Sequence, residues 1–413
     1  MNAAVPHDAY AALRFPNYRW FIGSTLTMTL AAQLQGTVVA WQVYAFTRDP
    51  LSLGLIGLAE ALPFISVALF AGHVADRTSR RRLTIGALAV LLACSLALLA
   101  ITVRVAPGRS AVWGMYAVIV VSGVARSFLQ PARTALGAEL VPREHYPNAI
   151  AWRSSTWQLA AVLGPAVGGI LYGFAGAAVA YAVDAALMAV ALLCITAILH
   201  APRRAAPPEG DSVRDSLAAG VRFIAGQPVV LGALTLDLFS VLFGGAVALL
   251  PVFADQILHV GPQGLGALRA APAAGAVAMS LLLAHRPPMR RAGPALLVAV
   301  ALFGVTMIGF GLSRSVVLSI ALLAASGMVD TVSVVIRGTL VQLLTPEHLL
   351  GRVSAVNSVF IGSSNEIGAF ESGVAAKLLG AVPSVVLGGL ATLVVVAVTA
   401  VRVPELRRLR ELR

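Results

Sequence analysis

Gly72-His-Val-Ala-Asp76-Arg77-Thr-Ser-Arg80-Arg81-Arg82 is the stretch on which the reading of this chain turns. An apolar run near 51–72 precedes it and another near 83–103 follows it. About 20 consecutive apolar residues let a helix cross the roughly 30 Å hydrocarbon core of a bilayer. A short arginine-rich turn between two such runs resists translocation and stays on the cytoplasmic side. The stretch therefore reads as the inner turn of a transmembrane helical hairpin.

The pattern extends in both directions. Twelve apolar runs are expected, near 18–46, 51–72, 83–103, 111–131, 151–174, 177–200, 229–253, 262–285, 293–313, 315–337, 353–373 and 380–402. Of the 413 residues 58% are hydrophobic and only 12% charged, where soluble domains carry about 25% charge. This excludes a cytosolic enzyme, a disordered regulator and a disulfide scaffold. Cys94 and Cys194 lie inside apolar runs and read as small core residues. The polar start, with Pro6, His7 and Asp8, followed by a long apolar run, does not read as a cleavable signal peptide.

Charge placement sets the expected topology. The net charge is +12. With the N-terminus inside, Arg48, Arg104, Arg109, Arg314 and Lys377 are outside, Arg126 and Arg269 lie within spans, and every other basic residue is inside. This asymmetry places both termini in the cytoplasm. It accounts for the basic balance through anionic inner-leaflet lipid, without nucleic acid.

The chain repeats itself. Arg133, Leu136, Leu140, Pro142, Ala151, Ser154, Gly164 and Gly169 recur 204 residues later as Arg337, Leu340, Leu344, Pro346, Ala355, Ser358, Gly368 and Gly373. Earlier in each half the offset is 209, pairing Gly23, Gly36, Gly57 and Pro63 with Gly232, Gly245, Gly266 and Pro272. Two parallel six-span halves related by an axis along the membrane normal give such a pattern. The expected fold is an all-α membrane protein of twelve transmembrane helices in two pseudo-symmetric six-helix bundles. Residues 1–200 form the N-terminal bundle, 201–228 a Pro- and charge-rich exposed linker on the cytoplasmic side, and 229–413 the C-terminal bundle.

With these features in hand, the loop at 72–82 resembles the signature loop of the major facilitator superfamily: a glycine, three residues, Asp-Arg, then a basic run. The resemblance implies a latch or gating loop formed by Gly72, Asp76, Arg77, Arg80 and Arg81. Gly164-Pro165-Ala-Val-Gly168-Gly169 in the fifth span resembles the antiporter motif of the family's drug exporters. Gly164 and Gly168 also form a small-xxx-small pair that permits close helix approach. Leu13-Arg-Phe-Pro-Asn-Tyr-Arg19 and Leu349-Leu-Gly351-Arg352-Val-Ser-Ala-Val-Asn357 look like the enterobactin-exporter and multidrug-efflux branch. By that resemblance, spans 1, 4, 7 and 10 line a central cavity.

Acids inside the spans are candidates for coupling. A charge at the bilayer centre costs at least about 2.5–3.5 kcal/mol, and burial favours the protonated carboxyl. An acid that is neutral in one state and ionised in another is what proton coupling requires. Asp237 is the first choice, with Ser240 and Gly244 at helical spacing; Glu366 and Glu60 follow. Arg126 and Asp330, one repeat offset apart, are expected at one depth across the axis, where they can pair over the cavity or act separately. Glu60 and its repeat counterpart Arg269 are a further conceivable pair. Asp184 reads as structural and near the outer end of its span, and Glu371 as near the outer surface. On span 1, Thr25, Thr29, Gln33, Thr37 and Trp41 form a drifting polar and aromatic side suited to an amphiphilic cargo. Gln33 and Trp41 are the chosen cavity residues.

A Walker A lysine, an H-E-x-x-H pair, a Cys/His cluster and a nucleophile elbow are all missing from the sequence. The reading is therefore a transporter and not an enzyme, with no cofactor and no metal. It is a proton-coupled exporter of amphiphilic small molecules, drug-like or siderophore-like, in the bacterial inner membrane. Its partners are the substrate, protons and lipid, and it works as a monomer. The alternatives are a proton-coupled nutrient importer and a non-transporting scaffold or sensor.

Overall fold

A computed structural model describes residues 8–199, 213–244, 246–286 and 291–409. Within the helices, the side chains of residues 64–65, 68–70, 72–73, 75–77, 213–217, 347–348, 355 and 359 lie outside the described residues.

The first half comprises α1 (Pro16–Thr47), α2 (Pro50–Arg77), α3 (Arg80–Arg104), α4 (Arg109–Glu139) and α5 (Tyr146–Thr196). Proline opens α1 and α2, where a missing N–H costs no helical bond. Asp49 and Ser79 cap α2 and α3 by accepting from the Leu51 and Arg82 amides. The 51 residues of α5 would make a rod of roughly 76 Å, far longer than one bilayer crossing. Gly176 divides it: its φ of 83° and ψ of 170° turn the chain back on itself, a conformation glycine adopts at little cost. The two arms of α5 are the fifth and sixth spans.

The second half comprises α6 (Val213–Gly226), α7 (Pro228–Phe243), the short α8 (Leu250–Val252) with the π-helical turn Phe253–Ile257 after it, α9 (Gly261–Ala284), α10 (Ala292–Leu312), α11 (Val316–Leu344), α12 (Glu347–Leu379), α13 (Ala381–Arg402) and α14 (Pro404–Arg408). Eight helices among the described residues are long and apolar enough to cross a membrane, the 143–196 stretch counted once. The second arm of α5, the more polar α1 and α12, and the apolar α2 bring the helical passes among the described residues to twelve.

The expected linker at 201–228 needs one correction. Its second part is helix α6, not an extended stretch. A Cβ on Gly220 would sit 2.9 Å from the Arg352 carbonyl, so α6 lies directly against α12. Ile224, one turn after Gly220, is buried with Val353 and Val356 of α12, and Phe223 packs against the same cluster. This short apolar face outweighs the charge at the start of the helix.

The repeat is visible as geometry. Arg133 reaches the Met28 Sδ at 3.9 Å, and their counterparts at offsets 204 and 209, Arg337 and Asp237, form an ion pair. The same two positions therefore meet in both halves, with different chemistry.

The halves join on the face that carries Arg48. Gly54 and Gly57 of α2 abut Phe370, Ala369 and Gly373 of α12. Gly169 and Gly173 of α5 abut Gly266 and Gln263 of α9. Trp41, Leu249, Phe253, Leu265, Phe310 and Ala376 form one buried apolar cluster there, drawing on both halves. Two ion pairs cross the same face: Arg48 with Asp255, and Asp49 with Lys377 at 2.7 Å. Among the described residues, every glycine crossing and ion pair joining the halves lies between mid-depth and this face.

Candidate functional site

Four ionisable side chains converge where the halves cross. Glu60 comes from α2, Arg126 from α4, Arg269 from α9 and Glu366 from α12. At 1.5 Å per residue, Glu60 lies about 15 Å from the start of α2 and Arg269 about 12 Å from the start of α9. That depth is near the bilayer midplane for helices spanning about 30 Å. Arg126 Nη1 is 3.5 Å from Glu60 Oε1. Glu366 lies beside Glu60, carboxyl against carboxyl, and within electrostatic reach of both arginines. Arg269 donates to the Gly36 carbonyl at 3.0 Å and is a charge neighbour of Glu60 and Glu366.

This cluster exists because small residues let the helices approach. A Cβ on Gly57 would meet the Glu366 carbonyl at 2.8 Å and the Ala369 Cβ at 2.7 Å. A Cβ on Gly123, one turn from Arg126, would meet the Pro63 ring at 2.8 Å. A Cβ on Gly36 would sit 3.3 Å from the Arg269 guanidinium. The Arg126 and Glu60 side chains nevertheless keep 37% and 31% of their surface.

The cluster continues into the N-terminal half. Arg126 Nη2 approaches Gln35 Oε1 at 3.5 Å, and Gln35 Nε2 donates to Asp184 Oδ2 at 2.8 Å. Asp184 is fully buried.

The sequence-derived candidates fall into groups. Glu60, Arg126 and Glu366 are brought together. The pairing of Arg126 with Asp330 does not occur: Arg126 pairs with Glu60 on its neighbouring helix, and Asp330 faces a small crevice inside the second half. Asp237, Ser240, Phe303 and Ser333 line that crevice with it. Asp237 is held by Arg337 across α7 and α11, both side chains under a tenth exposed. Trp41, expected in an open cavity, is instead buried in the seal on the Arg48 face, 6.4 Å edge-to-face from Tyr172. It stands only six residues from the end of α1, in the zone where the halves touch. Gln33 is half-buried with its Cβ against Gly164. Asp184, expected near the end of its span, is instead eight residues down the second arm of α5, at about 12 Å depth.

The glycine motif has two working faces. Gly164 and Gly168 seat α5 on α1, the latter with the Leu34 carbonyl 3.0 Å from its absent Cβ. Gly169 and the Pro165 carbonyl meet Gly266 of the other half. Of the basic loop, Arg80 pairs with Glu139 at 2.6 Å and Arg81 donates to the Thr196 carbonyl at 2.6 Å, both inside the first half. The Gly72, Asp76 and Arg77 side-chain positions lie outside the described residues.

Sequence reasoning missed Gln35 and Arg337 as site residues, and named Arg269 only as a conceivable partner of Glu60. Arg269 carried a signal, since it is an arginine within a span at the repeat position of Glu60. Arg337 carried one too, as the repeat partner of Arg133. Gln35 sits beside Gln33 and had nothing to distinguish it.

Two six-pass halves, joined on one face and meeting at a charge cluster at mid-depth, define a membrane transporter and not an enzyme. The chain belongs to the Major Facilitator Superfamily, whose sequence model matches residues 20–369. It is similar to the enterobactin exporter EntS of Shigella flexneri, with 27% identity over 96% of this chain and 94% of that protein. The same values hold for EntS of Escherichia coli O139:H28. Among solved structures, a bacterial homologue of the iron transporter ferroportin in an inward-facing state superposes with a TM-score of 0.73 at 15% identity, covering 96% of this chain and 99% of that one. A POT family transporter in complex with 5-aminolevulinic acid superposes with a TM-score of 0.73 at 12% identity, over 95% and 96% of the two chains.

Proposed function

We propose that this protein is a proton-coupled exporter of amphiphilic small molecules, siderophore-like or drug-like, working by alternating access. The observation that carries the reading is the Glu60–Arg126–Arg269–Glu366 cluster, contributed equally by the two halves at their crossing. Two carboxyl groups can share a hydrogen bond only if one holds a proton. Losing that proton leaves two carboxylates facing each other between two arginines, and the halves must rearrange to separate them. Proton binding and half-to-half contact are thereby linked.

Glu366 and Glu60 serve as the proton carriers in this reading, with Arg126 and Arg269 as their counter-charges. Asp237, paired with Arg337, anchors α7 on α11 and lines the crevice with Asp330. Gln33 faces the substrate path, and Trp41 closes its outer end. The loop of Gly72, Asp76, Arg77, Arg80 and Arg81 gates the opposite face. The motif of Gly164, Pro165, Gly168 and Gly169 lets the α5–α9 contact close and part.

The arginine asymmetry supports cytoplasmic termini, so the Arg48 face is the outer one and the structure is closed outward. The remaining assignments are the inner membrane, a monomer, an N-terminal bundle (1–200), a linker (201–228) and a C-terminal bundle (229–413). Relatives named as enterobactin exporters support a siderophore-like cargo.

The test is purified protein in liposomes with an imposed proton gradient, using enterobactin and a lipophilic cationic dye as probes. Gradient-driven movement of either probe, lost in Glu366→Gln, is expected. Equal movement with and without the gradient rules the coupling out.

A further inference from the structure

The acid that sequence reading dismissed as structural is connected to the transport site by a single side chain. Asp184 Oδ2 accepts from Gln35 Nε2 at 2.8 Å, while Asp184 Oδ1 is buried with no hydrogen-bond partner. The Ser95 hydroxyl lies against the carboxyl, but it is shared: it receives a second Gln35 Nε2 contact at 3.3 Å and donates to the Leu91 carbonyl at 3.2 Å. On its far side Gln35 offers Oε1 to Arg126 Nη2 at 3.5 Å. The amide therefore points its N–H₂ at the acid and its oxygen at the guanidinium.

We infer that Asp184 is a second proton-binding site, and that Gln35 reports its protonation to Arg126 by reversing its amide. The inference rests on the transport reading above and extends it from the cluster into the first half. A carboxylate is acceptor-only, whereas a protonated carboxyl has an O–H to donate. With Asp184 ionised, the observed orientation satisfies Oδ2. With a proton on Oδ2, the hydroxyl needs an acceptor, and Gln35 Oε1 supplies it once the amide turns over, because the amide already lies against that oxygen. That turn presents N–H₂ to Arg126, donor against donor. Arg126 loses an acceptor and commits to Glu60, the other partner within its reach at 3.5 Å. The proton comes from water reaching the part-exposed Arg126 side chain, entering as Gln35 swings, and returns to water when the halves change over.

Among the described residues, no other charge competes at Asp184. Arg126 is the charged neighbour from α4. From α1 there is Gln35, and from α3 there are Ser95 and the thiol Cys94 one position before it. On its own helix Tyr181 is one turn away, with a hydroxyl that is itself buried and unpartnered. A purely structural aspartate would be expected to have both oxygens satisfied.

The experiment reads protons alone and needs no cargo. Infrared difference spectra of the full-length protein in liposomes are recorded between about pH 4 and about pH 10. The expected result is a buried-carboxyl band that titrates, is absent in Asp184→Asn and is displaced but still titrating in Asp184→Glu. The second variant covers a failure of the first to fold. In the otherwise unaltered chain, Arg126→Gln moves the midpoint of that band by at least roughly tenfold in proton concentration, one pH unit. In a Gln35→Leu background the same substitution moves it by less than roughly threefold. Absence of any Asp184-dependent band overturns the proposal, and so does a midpoint that responds to Arg126→Gln equally with and without Gln35. If liposome transport proves independent of the proton gradient, the transport reading fails, while this titration still stands or falls on its own result.

Discussion

Asp237→Asn should damage the protein chiefly by stranding Arg337. The two side chains are 8% and 5% exposed and form an ion pair between α7 and α11. Leu236, Ile336 and Leu340, all buried, form the apolar packing around that contact. Removing one partner of a buried pair typically costs about 3–5 kcal/mol, because the remaining charge is left without compensation. At about 2–4 °C per kcal/mol for a cooperative unit of about 150–250 residues, the expected loss is on the order of 10 °C in the unfolding midpoint. Replacing both residues, as Asp237→Asn with Arg337→Met, removes the stranded charge and should recover most of that loss. Differential scanning calorimetry of the detergent-solubilised protein gives the three midpoints. A single variant within about 1 kcal/mol of the parent, or a double variant less stable than the single, refutes the reasoning.

Three further outcomes follow from the same geometry. Gly57→Val should hold α2 off α12, since even a Cβ there meets Ala369 and the Glu366 carbonyl within 2.8 Å; cysteines placed at Arg48 and Asp255 should then cross-link poorly, and undiminished cross-linking contradicts the proposed seal. Burial acts to raise the Asp49 carboxyl, but the hydrogen bonds from Lys377 and the Leu51 amide and the Lys377 charge outweigh it and hold it below the ordinary carboxylate range. A depressed acid contributes stability above its unfolded value and loses it as pH falls through its folded value. Closure of the Arg48 face should therefore weaken on acidification below about pH 4, by well under 1 kcal/mol because both partners are part-exposed, and Lys377→Met should abolish that acid dependence of cross-linking. Gly169→Leu should trap the halves apart at α5–α9, because Gly266 lies 2.8 Å from its absent Cβ; reduced probe transport with normal insertion and folding is expected, and normal transport counts against the contact.

Much of the fold was legible because hydrocarbon enforces it. A lipid-facing helix must be apolar over its length, so the twelve runs announced themselves, and even the turn at Gly176 fell between two marked runs. Helix α6 was not legible, since the prolines before it and the charge at its start masked a short apolar face. The site was legible by residue type and less so by partnership. Glu60, Arg126 and Glu366 stood out as charges amid apolar sequence. Their convergence depends on Gly36, Gly57 and Gly123, whose role is to be small at one crossing, and nothing in a glycine-rich sequence distinguishes those positions. Trp41 lies in the closed apolar cluster and not in an open cavity for a related reason: helical spacing gives a face but not which end of the path between the halves is closed. Asp184 was set near the outer end of its span, whereas it lies about 12 Å down the second arm of α5.

The central claim is that proton exchange at the Glu60–Glu366 pair decides which face of the two halves is closed. Spin labels on exposed positions, Arg104 with Arg314 on the Arg48 face and Glu144 with Leu344 on the opposite face, allow both gaps to be measured by electron–electron double resonance in liposomes. The account predicts that the two distance distributions shift in opposite senses between acid and alkaline pH, and that Glu366→Gln holds both in the acid pattern at every pH. Distances that respond to pH unchanged in Glu366→Gln, or that do not respond in the parent protein, would contradict it.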